Sequence, residues 1–346
     1  MHFGIFLEER RRGVGDTAAF RETVELVEAA EAWGLDGVWL GEIHFNGARS
    51  VQSAPLALAS FLAARTRRVR IGTAVQVLPL SNPLRVAEEV ATVDHLSEGR
   101  FDFGIGRSGS PRAYDVLGVP YGESQARFLE ALEIIREAWK GQPFTYEGKF
   151  HQFRNARVSP TPYQAPHPPM RMAANSEETF PQVGRLGLPI FVGLRDLDIP
   201  TLRLHLQSYR KAWEEAGHPG RPDAYLRIPI YAATTEEQAV AEPEENIRFF
   251  FQRHAELVRS SLGRPDTGLG RQAVAEQVAR LTYDEILKTR VAFGTAASLT
   301  DRLAQLREEL GLDGVVAELN PGGLLSIEQM MRTLRILTHE VIPALR

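Results

Sequence analysis

Gly34-Leu35-Asp36-Gly37-Val38-Trp39-Leu40 follows an amphipathic segment with a glycine and then runs directly into apolar residues, and the chain repeats this pattern twice. The later copies are Gly187-Leu188-Pro189-Ile190-Phe191-Val192-Gly193 and Gly311-Leu312-Asp313-Gly314-Val315-Val316-Ala317. Glycine takes the left-handed conformation just past a helix end, and a short unbroken apolar run reads as a strand buried on both faces. The unit is helix, tight turn, parallel strand. Before the first copy, Phe20, Val24, Val27 and Ala30 recur at helical spacing, with Asp16 and Thr17 as candidate caps.

Working outward, apolar runs place strands at 2–7, 36–41, 69–75, 101–106, 170–174, 189–193, 226–233 and 313–319. Helical periodicity falls at about 17–33, 54–65, 83–97, 124–140, 176–186, 201–216, 298–310 and 326–345, one helix after each strand, which is the pattern of a TIM (β/α)8 barrel. Ser326 and Gln329 have the spacing of a capping box. Two stretches break the repeat, and they read as insertions after strands four and seven. The first, 141–168, contains FTYEGKFHQF and then a run rich in proline, which predicts a hairpin and an extended crossing. The second, 234–297, follows the seventh strand, where barrels place lids, and its Arg264-Pro265-Asp266-Thr267-Gly268-Leu269-Gly270 reads as a mobile loop. A lid and plain decoration of the fold are both open for it. Without these insertions about 250 residues remain, the size of one barrel, so the expectation is a single domain over 1–346.

The composition narrows the chemistry. A net charge of −4, with Lys+Arg 40 against Asp+Glu 44, gives no reason to expect a nucleic-acid partner. There is no cysteine, which removes disulfides, thiolate zinc sites, iron–sulfur clusters and a cysteine nucleophile together. Any redox chemistry then belongs to a bound group. The start, MHFGIFLEE, lacks the basic residues of a secretory or organellar leader, which predicts a cytoplasmic protein. The apolar stretch Ala54 to Ala64 is about half of the roughly 20 residues that cross a bilayer, so no membrane segment is expected.

Barrel enzymes carry their chemistry at the carboxyl ends of the strands. Those ends supply Glu42 and His44 after strand two, Ala74 and Val75 after strand three, Arg107 and Ser108 after strand four, and Asn175, Ser176 and Thr179 after strand five. Ser176 and Thr179 fall where the fifth helix is predicted to open, a position suited to phosphate, and Arg107 offers a bidentate charge on the adjacent strand. Ser176 as an ordinary helix cap, with Arg107 paired to an acid, is the plainer alternative. Glu42 and His44 are two apart and share a face if the strand persists. For His44 a proton-handling role and a structural one stand level. The nine histidines form no spacing that suits a metal.

Gly104-Ile105-Gly106-Arg107-Ser108-Gly109 matches the glycine pattern of a dinucleotide fingerprint. The match lacks its context, because no second strand ending in an acid follows about 20 residues on. The glycines are read instead as room for a ligand. Nor is there a nucleophile elbow, since Ser110 stands where the final glycine would be needed.

Taken together, MHFGIFLE, GLDGVWLGEIHF, VRIGTAVQVLPLSNPLRVAEEVATVDHLSEGRFDFGIGRSG and MRMAANSEETFPQVGRLGLP resemble the bacterial luciferase-like flavin-dependent monooxygenases, with a weaker echo at LDGVVAELNPGG. The resemblance implies a barrel that takes reduced FMN at its strand ends, where oxygen forms a flavin 4a-hydroperoxide that oxygenates a small, largely apolar organic substrate. It implies phosphate contacts at Arg107, Ser176 and Thr179, with Asn175 and Gly106 beside the flavin and Glu42 near its ring. It further implies a cis peptide joining Ala74 and Val75 beneath the ring. Partners would be O2 and a separate NAD(P)H:flavin reductase, in a homodimer. The sequence departs from the luciferases proper at Ile43, where they have the catalytic histidine. It departs also at Gly106 for a cysteine, at Ala113 for an acid and at Asn175 for a glutamate. His44, matching the second histidine, remains for proton handling. Deazaflavin-dependent hydride transfer and flavin binding without catalysis are the two alternatives.

Overall fold

The computed structural model describes every residue except 9, 109 and 261–269. Eight parallel strands close a barrel: β1 (His2–Leu7), β2 (Gly37–Leu40), β3 (Arg70–Thr73), β4 (Phe101–Gly106), β5 (Met170–Ala173), β6 (Ile190–Gly193), β7 (Ala224–Ala232) and β8 (Gly314–Glu318). Closure is made by β8 against β1, where His2 is opposite Gly314 and Phe6 opposite Glu318. Helices α1 (Asp16–Ala32), α2 (Pro55–Arg65), α3 (Pro83–Leu96), α4 (Ser124–Ala138), α5 (Thr179–Arg185), α6 (Ile199–Glu215), α7 (Ala296–Leu310) and α8 (Ile327–Ile336) follow the strands in turn.

The junctions that decided the fold behave as their glycines require: Gly34, Gly187 and Gly311 have φ of +86°, +66° and +62°. Ser326 and Gln329 form the capping box, each side chain bonded to the other's backbone N–H. Three local expectations change. Gly15 caps α1, and Asp16 lies inside its first turn, paired with Arg10 at 2.8 Å. Strand β3 stops at Thr73, a cis peptide joins Ala74 to Val75, and pairing resumes only at Gln76–Val77, against Ile105 and Gly106 of β4. Between β4 and α4 the chain also forms a short helix, Pro111–Leu117, ended by Gly118. Helix α5 opens at Thr179 rather than Ser176, since 176–178 form a turn.

Along each strand alternate residues face the helices and the barrel axis. Phe3, Ile5 and Leu7, with Val38, Leu40, Ile71, Phe103 and Ile105, join the large core between strands and helices. The inner face is unlike it. Trp39 fills the axis with Phe6, Phe191 and Val316 around it, its indole edge-on to Phe191 at 4.8 Å. Glycine is needed where that ring passes, since a Cβ at Gly4 would lie 2.8 Å from the indole nitrogen and one at Gly72 would strike the six-membered ring. Below it, the Arg171 guanidinium lies 3.5 Å from the centre of the Tyr225 ring, and His2 stacks on Tyr225 at 4.9 Å. Burial drives the His2 imidazole down to about 4, so it is neutral there.

The first insertion is an antiparallel hairpin, Phe144–Glu147 with Gln152–Ala156, in the return from α4 to β5. The second, after β7, forms helices Glu236–Ala241, Glu244–Ser260, Gly270–Arg280 and Tyr283–Thr289, then a short strand, Ala292–Gly294, parallel to the end of β7. Of the loop read at 264–270, residues 264–269 lie outside the described residues and Gly270 opens the helix Gly270–Arg280. No helix among the described residues is long and apolar enough to cross a membrane.

Candidate active site at the carboxyl ends of the strands

The loop leaving β2 carries Glu42 and His44 to the mouth of the barrel. They meet as the two-residue spacing allows, with His44 Nε2 2.7 Å from Glu42 Oε1. The other carboxylate oxygen accepts the Val77 N–H at 2.8 Å. One buried acid thus ties the imidazole to the segment just past the cis peptide. The hydrogen bond to Glu42, opposed by burial and helped by the acid's charge, raises the His44 pKa above its ordinary value.

Ala74 and Val75 are joined by the cis peptide implied by the resemblance, and both face a cavity above Trp39. The glycines of β4 do not leave room for a ligand, and that reading is corrected. The Thr73 carbonyl occupies the place of a Cβ on Gly104, and Val75 Cγ2 would lie 2.5 Å from one on Gly106. Gly106 is therefore the seat of Val75. A cysteine there would collide with the residue that follows the cis bond.

Arg107 leaves β4 half-buried, and its Nη1 is 3.4 Å from Ser124 Oγ at the start of α4. Its carbonyl accepts the Tyr114 hydroxyl. Among the described residues no acid pairs with its guanidinium. Ser176 is not a helix cap: its carbonyl accepts the Thr179 N–H at 2.9 Å, and the two hydroxyls are 2.8 Å apart. Gln125 of α4 bonds Gln182 of α5 at 2.7 Å, linking the helices next to Arg107 and Thr179. Asn175 and Ser176 are exposed, Thr179 is buried, and Asn175 reaches the wall of the cavity.

The cavity measures about 670 Å³ including its open mouth. Its walls are largely apolar, but Arg227 and Glu318 form an ion pair on one side, with the guanidinium 3.5 Å from the centre of the Phe6 ring. Helix Glu244–Ser260 covers it with Phe250 and Phe251, both 3 % exposed. A second cavity, about 630 Å³ on the same measure, lies beside Glu42, Ile43, His44 and Ala113 and shares Arg195 and Phe250 with the first. His254 on the covering helix is bonded to Asp196 in the loop after β6. Burial, followed by the charge of Arg195, holds its imidazole below the ordinary value despite Asp196.

Arg195, Arg227, Glu318, Phe250 and Arg290 all line this space and were absent from the sequence reading. Strand parity would have found three of them. Arg195 continues the inward face of Phe191 and Gly193, Arg227 that of Tyr225, and Glu318 that of Gly314 and Val316. Phe250 and Arg290 come from the insertion, where no repeat carries a register.

The family profile described as luciferase-like monooxygenase matches residues 1–314. The oxygenase component of a flavin-dependent trigonelline monooxygenase from Acinetobacter baylyi is 29% identical, over 99% of this chain and 95% of that protein. Among solved structures, the oxygenating constituent of 3,6-diketocamphane monooxygenase from Pseudomonas putida, in complex with FMN, superposes with a TM-score of 0.84. It has 19% identity and covers 100% of this chain and 99% of that one. An F420-dependent secondary alcohol dehydrogenase superposes at 0.76 with 20% identity, covering 100% and 99%. At such identities the two superpositions speak for the fold alone.

Proposed function

Since the chain belongs to the luciferase-like monooxygenase family, we propose that it is the oxygenase of a two-component flavin system. In this reading it takes reduced FMN from a separate NAD(P)H:flavin reductase and uses O2 to oxygenate a small organic substrate with a largely apolar body. The observation that carries the reading is the Glu42–His44 pair in the wall of the second cavity, which shares Arg195 and Phe250 with the covered, largely apolar cavity at Ala74 and Val75. A planar ring system with a polar N–H edge suits that cavity, because its walls are mostly apolar and the buried Glu318 Oε2 has no partner. The phosphate is assigned to Arg107, Ser176 and Thr179, with Asn175 beside the ring and Gly106 acting on it only through Val75, which it seats.

A bound reduced flavin would supply the electrons that activate oxygen. The chain's own residues bind, cover and handle a proton. Phe250 and Phe251 keep bulk water from the cavity. Glu42 holds the His44 proton to higher pH than an imidazole without that partner would keep it, which suits His44 as a donor to an oxygen being reduced or released. Ile43 offers no such group, which leaves His44 as the acid. We also assign the protein to the cytoplasm, as a homodimer.

The test is to mix the protein with reduced FMN, then with oxygen, and to follow the flavin spectrum. Reoxidation much slower than that of free flavin, through an intermediate species, is the expected result. Steady turnover with NADH and FMN but no reductase would refute the two-component division. Anaerobic turnover with a reduced deazaflavin would move the chain to hydride transfer on the same barrel. Tight binding of oxidised FMN without a stabilised intermediate would leave a flavin-binding protein.

A further inference from the structure

The charges around the cavities do not balance locally. Each carboxylate near the mouth has a partner: Glu8 pairs with Arg49, Glu318 with Arg227, Asp196 with His254 and Glu42 with His44. Arg195 lies in the wall common to both cavities and has no ion pair among the described residues, and its buried Nε has no hydrogen-bond partner. Arg290, only 2 % exposed, faces the first cavity with its Nε equally unpartnered, and its Nη1 donates to the Leu194 carbonyl at 3.1 Å. Asp198 and Asp196 act on Arg290 only through space. Burial drives the Arg49 guanidinium well below its usual range, and the charges of Arg195, Arg253 and Arg227 add to that, which marks this as a crowded cationic corner.

A guanidinium cannot shed its proton to relieve burial, so a donor held in a cavity wall without an acid favours an anionic guest. We propose that the substrate carries one carboxylate-type anionic group, received by Arg195 with Arg290 behind it, while its apolar body lies against Phe250 between the two cavities. This rests on the oxygenase reading above and names its substrate class. A planar carboxylate matches the fork of Arg195, and the shared wall places it next to the cavity assigned to the flavin ring rather than at Arg107, where the phosphate is assigned.

Calorimetric titration with benzoate and with benzamide, equal in shape and different in charge, tests this with and without FMN. Benzoate is expected to bind at least about 10-fold more tightly than benzamide, the worth of a charge-assisted contact. Arg195→Gln should bring that ratio close to one, Arg195→Lys should keep part of it, and neither should alter the affinity for FMN or riboflavin. Equal binding of the two probes, no binding of benzoate, or a ratio unchanged in Arg195→Gln overturns the proposal. So does an Arg195→Gln protein that loses FMN but keeps riboflavin, since Arg195 would then serve the flavin phosphate. Failure of the oxygenase reading looks different: the native chain would not bind FMN, or reduced FMN bound to it would meet oxygen without a slowed reoxidation, whatever its preference between the probes.

Discussion

The two stretches that break the sequence repeat end on opposite sides of the barrel, and they differ accordingly. The hairpin 144–156 lies in a helix-to-strand return, at the end where the strands begin. Its turn hangs on Glu130 of α4, whose carboxylate accepts the N–H groups of Lys149, Phe150 and His151 at 2.7–2.9 Å, and Tyr146 bonds Glu133 at 2.8 Å. It gives no residue to the two cavities at the mouth. The segment after β7 leaves from the end where the strands finish. It has a small core of its own, in which Ile247, Phe250 and Phe251 pack with Val278, Tyr283 and Ile286. From that core it extends Phe250, His254 and Leu257 over the mouth. An interruption of the repeat therefore carries function or not according to which end of the strands it leaves from, more than by its length or composition.

Substitutions at the mouth should then alter chemistry, and substitutions at the base only stability. The largest expected effect is at His44. His44→Ala should lower turnover about 100-fold, the lower range for a lost proton donor, with FMN affinity little changed. Unaltered turnover would return His44 to a structural role. The pH profile adds a check with a definite sign. The His44 pKa is raised in the fold, so the stabilisation from its pair with Glu42 is fully present below the unfolded value of 6.5 and is lost as pH rises through the higher folded value. Glu42→Gln should move the alkaline limb of activity to lower pH, and a limb that stays in place would remove Glu42 from that role.

Next in size, Arg107→Ala should weaken FMN about 10- to 100-fold and riboflavin little, since only FMN has the phosphate. Equal losses, measured by flavin fluorescence titration, would take Arg107 out of the phosphate site. Phe250→Ala should raise the share of reduced flavin lost as hydrogen peroxide several-fold, read by a peroxide assay alongside product formation. If coupling is unchanged, the segment after β7 is as decorative as the hairpin. The smallest effect is at the base. Glu130→Ala should cost about 1 kcal/mol of stability, visible as a fall in Tm, and leave turnover alone. A loss of activity there would break the contrast between the two ends.

Sequence patterning revealed most of the barrel because each element repeats the same local physics. A glycine must accept positive φ after a helix, and a buried strand must be apolar, so all eight strands were visible. The misses have local causes. Helix α5 begins three residues late because the Ser176 carbonyl takes the Thr179 N–H in a preceding turn. The glycines of β4 misled because a glycine shows only that something comes close, and here it is the chain itself, through Thr73 and Val75. At the site, Glu42 and His44 were legible from spacing and meet as expected. The arginines of the mouth were missed for two reasons: Arg195 and Arg227 are legible only when strand parity is carried to the ends of the strands, and Arg290 arrives from an insertion without a period.

Trp39 lies on the barrel axis against Phe6, Phe191 and Val316 of the cavity wall. Its indole passes so close to Gly4 and Gly72 that the ring and these two glycines can change only together. Any lineage that exchanged Trp39 for a small residue would release the constraint on Gly4 and Gly72 at once and extend the chamber down the barrel axis. Adaptation to longer substrates is thus open from below, without disturbing the residues assigned to the flavin.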